Sequence, residues 1–332
     1  MKTSSSRVFL ALVLWGLAAV AWSDPIIVKF SHVVTEDTPK GKGALKFKEL
    51  AEAKTNGRVK VEIYPNSQLY KDREELEALQ LGAVQMLAPS VSKFGPLGVR
   101  KFEVFDFPYL FPDQKALDRV TDGAVGQGLF KLLEPKGIVG LAYWSNGFKQ
   151  FSANRPLKGL DDFKGLKIRI QSSKVIEGEI KALGAIPQVM AFSEVYTALQ
   201  QGVVDGEENT VSNKYTQKMH EVQKYMTMTD HGVVMYAVIV NKKFWEGLPA
   251  DIRGELQDAM SEASRYERDI AQHENDIALD KIKAARTTEI YVLPGAQRAA
   301  LRKAMDPVYE QYSSVVGKDT LDSIEHIVAE AK

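Results

Sequence analysis

A reaction centre needs a nucleophile, a base or a set of metal ligands at usable spacing, and this sequence offers none of them. It has no glycine-flanked serine elbow and no phosphate-binding loop ending in lysine, and its five histidines, His32, His220, His231, His273 and His326, never pair at helical ligand spacing. The glycines of "DGAVGQG" come in the wrong order for a dinucleotide fingerprint and are expected to form a loop. Glu207 and Glu208 have the chemistry of an acid and base pair, but adjacent charges of this kind are expected in a solvated turn. Arg169, in "KGLKIRIQSS", stands out for another reason. Alternation sets Leu166, Ile168 and Ile170 on one face of a strand and Lys167, Arg169 and Gln171 on the other. Taken alone, that pattern describes a strand with one wet face.

The elements around these residues point to an α/β protein. From Ile26 the segments "IIVKFSHVV", "RVKVEIY" and "AVQMLAPS" read as strands, and "GKGALKFKELAEAKT" and "DREELEALQLG" between them read as helices. Such a βαβαβ run implies a mostly parallel sheet with helices on both faces and a ligand beyond the carboxyl ends of its strands. The loops to watch are therefore His32 to Lys40, Pro65 to Asp72 and Ser90 to Pro96. A second series begins near Ile138, with "IVGLAYW", "LKIRIQ", the helix "FSEVYTALQQG" and the strands "YMTMT" and "VVMYAVIV". No repeat and no low-complexity linker separates the two series, so extended strands are expected to join them. After Pro249, a stretch without proline repeats apolar residues at helical spacing to Arg286. As one helix of about 36 residues it would run about 54 Å, long enough to cross two lobes. The alternative is two helices broken near Gln272 to Asn275.

The ends and the composition narrow the setting. Lys2 and Arg7 precede an apolar run over residues 8–22 that closes on Ala21 and Ser23, the form of a secretory signal. As a helix it would reach about 22 Å, short of the roughly 30 Å of hydrocarbon that a membrane span must cross. The alternative is an uncleaved tether, against which Asp24 and Pro25 open a soluble strand. There is no cysteine, which excludes a lipid-linked N-terminal cysteine, disulfides and thiol chemistry together. The 43 basic and 43 acidic residues cancel, which removes the broad basic field of nonspecific nucleic-acid binding. Any recognition of charge must be local. A secreted, two-lobed α/β chain without catalytic signature is expected to be a solute-binding protein that closes a cleft on a small ligand.

Particular stretches carry this further. "PNSQLYKDREELEALQLGAVQM", "FDFPYLF", "GFKQFSANRPL", "GLKIRIQSS", "QGVVDGEEN" and the long helix after "LPADIRGEL" together resemble the periplasmic solute-binding subunits of TRAP transporters, the DctP family. The resemblance covers nearly the whole chain beyond residue 23 and rests on the order and spacing of the stretches. It implies a two-lobed periplasmic binding protein fold with a long helix spanning both lobes. It implies capture of a small organic acid and its delivery to TRAP membrane permease subunits driven by a sodium gradient, with no enzyme activity. The expected division is a signal peptide over residues 1–23, a first lobe of residues 24–146 with 236–274, and a second of residues 147–235 with 275–332. The protein is expected to be periplasmic, monomeric, free of nucleic acid, and without cofactor or metal.

In the family an arginine of the strand corresponding to "LKIRIQ" clamps the ligand carboxylate, and Arg169 stands there. A planar, permanently charged guanidinium offers a carboxylate two parallel donors, which lysine cannot. The resemblance also brings Asn209 as an amide contact and Phe192 as an apolar wall, with a core aromatic the alternative for Phe192. The sialic-acid branch has a second arginine about twenty residues earlier, where this chain has Lys149, which argues against that ligand. "SHVVTEDTPKGKG" and "SVSKFGPL" look instead like the members that bind C4-dicarboxylates such as succinate, fumarate or malate. A dianion needs a cation at each end, because an unpaired buried carboxylate is costly. Lys40 and Lys93 are expected to face Arg169 from the first lobe, although Lys42, Lys46 and Lys101 are equally basic. Tyr236 and Asn213 are further candidates, with His32 and Ser92 behind them. The competing readings are the same role for a 2-oxo, aromatic or sugar acid, and a secreted hydrolase or isomerase on the same scaffold.

Overall fold

The computed structural model describes residues 24–330. The signal-sequence expectation for residues 1–23 lies outside them. Among the described residues, eleven strands form two sheets. The first has the order β2, β1, β3, β10, β4, built from β1 (Ile26–Ser31), β2 (Val59–Tyr64), β3 (Met86–Leu87), β4 (Ile138–Phe148) and β10 (Val233–Asn241). The second has the order β11, β9, β5, β8, β6, β7, built from β5 (Gln150–Ala153), β6 (Lys167–Ile170), β7 (Ile186–Val189), β8 (Gly206–Asn209), β9 (Tyr225–Met228) and β11 (Glu289–Val292).

Each sheet is mixed, not mostly parallel. The reason lies in how the chain crosses between them. β4 runs out of the first sheet and continues past Lys149 as β5, and β9 leads back through residues 229–232 into β10. The outgoing and returning strands run in opposite directions. β10 therefore pairs antiparallel with β3 and β4, and β5 antiparallel with β8 and β9, while β1–β2, β1–β3, β6–β7, β6–β8 and β9–β11 are parallel. Extended strands thus join the two series, as the missing linker implied.

Several local expectations change. "DGAVGQG" is no loop: helix Gln114–Asp122 ends at Gly123 and helix Ala124–Lys131 begins at once. A Cβ on Gly126 would stand 2.1 Å from the Thr121 carbonyl oxygen, so glycine there permits the tight turn between helices. β3 spans only two residues, because Pro89 has no N–H to continue the ladder; its carbonyl still accepts from Ala237. Glu207 and Glu208 do not form a solvated turn. They lie on β8, between β5 and β6, and both are buried.

The helix Ala250–Ala285 is continuous over 36 residues. Its first half packs on helix Pro39–Lys54 and β4, with Ile252, Leu256, Ala259, Met260 and Ala263 entering the core around Phe30, Phe47 and Trp144. Its last turns meet the second sheet, with Ala278 and Ile282 against Val211 and Met226. At the possible break point the helix is instead stitched to the crossing strand. Asn275 donates to the Ala271 carbonyl at 2.8 Å and the Asn146 carbonyl at 2.9 Å, and accepts from the Ser212 N–H at 3.0 Å. The C-terminal helices Gly295–Val316 and Lys318–Glu330 pack on helix Lys174–Ala182 and on residues 100–122, joining a core that runs from Phe94 and Phe105 to Ile168 and Ile176. No helix among the described residues is long and apolar enough to cross a membrane.

Candidate functional site

The loops that follow β1, β2 and β3 converge on the face of the second sheet that carries Arg169. Between them lies a small cavity. Val33, Val34, Lys40, Asp72, Ser90 and Lys93 line it from the first sheet's loops, and Arg169, Gln171, Phe192, Asn209 and Asn213 from the second; Val234 and Tyr236 of β10 complete it. The structure therefore brings Lys40, Lys93, Arg169, Phe192, Asn209, Asn213 and Tyr236 together around one cavity. His32 and Ser92 are buried but do not line it, and Ser92 donates to Asp106 at 2.7 Å. Lys42 and Lys46 pair elsewhere, with Glu274 at 2.6 Å and Glu49 at 2.8 Å, and Lys101 is not part of the lining.

Arg169 is 2% exposed, so its strand face is not wet. Parallel pairing of Arg169 with Gln188 and Glu207 sets its position on β6. Its Nε and Nη2 donate to the Met190 carbonyl at 3.1 and 2.8 Å, which fixes the guanidinium plane. A guanidinium has five N–H groups, so the end-on pair on Nη1 and Nη2 remains for a carboxylate. The ring of Phe192 lies 5.7 Å from its central carbon. Phe192 also packs with Val195 and Leu199 against Val33 and Val34 of the loop after β1, so it both lines the cavity and belongs to a core cluster.

The two lysines are not equivalent. Lys93 contacts Asp72 and stands 2.7 Å from Glu75, so its charge is already answered. Burial works against that charge, but the two carboxylates hold it above the usual lysine value. Lys93 thus lines the cavity with its charge already paired. Lys40, completely buried near the start of helix Pro39–Lys54, donates to the Ala88 carbonyl at 3.0 Å and sits 3.7 Å from the centre of the Tyr236 ring. Burial, followed by the charge of Lys93, lowers it to about 7.

Asp72 is the residue that sequence reasoning passed over. Burial works to raise its carboxyl, but the charges of Lys93 and Arg169 and the N–H of Phe192 hold it at about 2. Its bond from Phe192 crosses the cleft, as do the Lys71–Glu194 pair at 3.2 Å and the Gln217 to Asn66 bond at 3.3 Å. These contacts come from one loop, at its expected place after β2. On the polar side, Asn209 accepts from Asn213 at 2.9 Å, and Asn213 donates to the Tyr236 hydroxyl at 3.3 Å. The Asn213 side-chain amide oxygen is buried without a partner, an acceptor facing no donor of the protein.

Behind the site, the crossing strands carry their own charges. Lys149 pairs with Glu208 at 2.8 Å, and Lys214 contacts Glu207, all four fully or almost fully buried. Burial would raise Glu208, but Lys149 and His231 hold it at about 2. Lys149 is therefore committed to the protein and does not line the cavity.

The cavity leaves about 20 Å³ for the centre of a water-sized sphere, room for one or two waters. A larger groove of about 510 Å³ opens beside it and shares Asp72 and Lys93. Its remaining cations are surface side chains such as Arg73 and Lys174, whereas the inner cavity holds fixed, buried charge. Buried basic side chains at Arg169 and Lys40 make the inner cavity the candidate ligand site. Its groups present a carboxylate-binding edge at Arg169 and a second basic group at Lys40, although the space between them is that of one or two waters. No cluster of three His, Cys, Asp or Glu among the described residues could hold a metal ion.

Comparison with known proteins is consistent with this geometry. The family model for bacterial extracellular solute-binding protein, family 7 (DctP), matches residues 30–314. The C4-dicarboxylate-binding periplasmic protein DctP of Rhodobacter capsulatus is 60% identical over 315 residues, 95% of either chain. Among solved structures, a TRAP periplasmic solute-binding protein of Shewanella oneidensis with bound succinate is 44% identical with a TM-score of 0.89, covering 92% of this chain and 99% of that one. Another from Pseudomonas aeruginosa, with bound L-malate, is also 44% identical, with a TM-score of 0.85 over 87% of this chain and 100% of that one.

Proposed function

The chain belongs to the DctP family, family 7 of the bacterial extracellular solute-binding proteins, and from that premise we propose that it captures C4-dicarboxylates for a TRAP transporter. Proteins of this family bind small organic acids and work with a membrane permease; they are binding proteins of transporters and not enzymes. The observation that carries the ligand reading is a pair of buried basic side chains, Arg169 and Lys40, that line one small cavity, in this reading from opposite lobes. A monocarboxylate would satisfy one of them. A dianion satisfies both, and the Asn209–Asn213–Tyr236 chain gives polar support between them. The relatives that carry succinate and L-malate support the same class.

In this reading the open protein binds one carboxylate on Arg169, and the second draws in the lobe bearing Lys40. Closure requires that the ligand interact more strongly with the closed state, and the second carboxylate supplies that difference. The narrow cavity means that the lobes must part before a ligand enters. The hinge in this proposal is the antiparallel ribbon of β4–β5 and β9–β10, with the long helix beside it, and the lobes divide close to residues 146 and 236. For eight heavy atoms a ceiling of about 1.5 kcal/mol each gives roughly 12 kcal/mol, so micromolar binding at about 8.2 kcal/mol is within reach. Export to the periplasm by a cleaved signal over residues 1–23, and action as a monomer, complete the proposal.

Titration calorimetry tests it, with succinate, fumarate and malate against acetate and galacturonate. The expected result is micromolar or tighter binding of the diacids alone. Preference for a monocarboxylate or a sugar acid would refute it.

A further inference from the structure

Four lysines are buried among the described residues: Lys40, Lys93, Lys149 and Lys214. Three have a carboxylate within ion-pair distance, namely Asp72 and Glu75 for Lys93, Glu208 for Lys149 and Glu207 for Lys214. Lys40 has none among the described residues; its bonded acceptor is the neutral carbonyl of Ala88, and the Tyr236 ring covers it. Burying an ammonium without an anion is costly, and the usual response is to lose the proton. An amine without its proton still donates to a carbonyl. We infer that Lys40 is a proton-uptake site of this protein, taking a proton from solvent to Nζ when the second carboxylate of a dianion docks beside it. The inference rests on the dicarboxylate reading above.

The charges facing Lys40 make the direction clear. Lys93 approaches from the 3-10 turn Val91–Lys93, Glu75 from helix Glu75–Gln80, Asp72 from the loop after β2, and Glu267 from the long helix. His32 follows β1, and Tyr236 lies on β10. Without a ligand, Lys93 and Arg169 already answer Asp72 and Glu75, so a charge on Lys40 is surplus. With a dianion in the cavity the balance reverses, and a neutral Lys40 would leave a buried carboxylate unmatched. Burial followed by the Lys93 charge, which bring the free amine to about 7, are consistent with this reversal. Glu267 is the competing titrating group, because burial raises it to about 8. The step involves a proton alone; no covalent bond of the ligand changes.

The test is titration calorimetry of the protein with succinate at pH 7, 8 and 9, in buffers of differing ionisation enthalpy. Uptake is expected to rise from about 0.5 proton per ligand at pH 7 to about 0.9 at pH 8, with affinity falling about fifty-fold from pH 7 to pH 9. Lys40→Arg, which keeps its charge throughout, is expected to bind with no uptake and a flat pH profile. Glu267→Gln is expected to retain the uptake. Binding by the wild type without proton exchange would overturn the inference and leave the dicarboxylate reading intact. So would uptake that persists in Lys40→Arg or vanishes in Glu267→Gln. Failure of every C4 diacid to bind would refute the functional reading and this inference with it.

Discussion

Arg169→Lys tests the site most directly, because it retains the charge and removes only the shape. The guanidinium uses Nε and Nη2 on the Met190 carbonyl and presents its remaining edge to the cavity. A lysine at the same point has one nitrogen for both tasks. If Nζ stays with Met190, the ligand loses both parallel donors; if it turns to the ligand, a buried carbonyl loses its partner. Hydrogen bonds to charged groups contribute about 1.5–3 kcal/mol, and an orphaned buried acceptor costs about 1–3 kcal/mol. Loss of one charged bond with partial loss of the anchor gives about 3 kcal/mol, or roughly 150-fold in the dissociation constant. Calorimetry with succinate reads the affinity, and circular dichroism with a urea titration verifies that the variant is folded. A folded Arg169→Lys protein that binds succinate within about threefold of the wild type would refute the clamp. Arg169→Ala, which also removes the charge, is expected to abolish measurable binding.

Other perturbations address the scaffold beneath the site. Lys214→Met leaves the Glu207 carboxylate buried without its cation, and is expected to lower the unfolding free energy by about 3–5 kcal/mol in a urea titration. Gly206→Ala, on the strand β8 that pairs with β6, sets a Cβ 2.3 Å from the Ser152 carbonyl oxygen of β5. It is expected to destabilise by about 1–3 kcal/mol and to weaken succinate binding, since it moves the strand that holds Arg169. Glu267 has a folded value of about 8 against an ordinary 4.5, raised by burial. The folded state therefore prefers the protonated acid, and its contribution, complete below about pH 4.5, erodes as pH rises to about 8. Glu267→Gln is expected to match the wild type at pH 5 and exceed it by about 3 kcal/mol at pH 7, at about 1.4 kcal/mol per pH unit. A constant difference across pH 5 to 8, read from urea midpoints, would contradict that assignment.

Much of this protein was legible in its sequence because the signals are local and periodic. Two alternating series, the 36-residue helix and the loops after β1, β2 and β3 follow from spacing that any window of the chain displays. The family resemblance singled out Arg169, Asn209 and Phe192 from the order of short stretches. Lys40 and Lys93 followed from the need of a dianion for a cation at each end. The difference between those lysines was not legible. Lys93 is answered by Asp72 and Glu75, which lie 21 and 18 positions earlier in the chain, and Lys40 by no carboxylate at ion-pair distance among the described residues. Nor could spacing show that Glu207 and Glu208 are buried beside Lys214 and Lys149.

Hydrophobic period, turn chemistry and composition are properties of neighbours along the chain, and they determined the α/β class, the missing reaction centre and the strand face of Arg169. Which charges neutralise one another depends on distance in space and on local burial. Two strands crossing between sheets bring Lys149 to Glu208, and loop convergence brings Asp72 to Lys93 while leaving Lys40 without an ion-pair partner among the described residues. Only the tertiary structure decided those pairings, because an ion pair in a low-dielectric interior is set by ångströms between segments far apart in sequence.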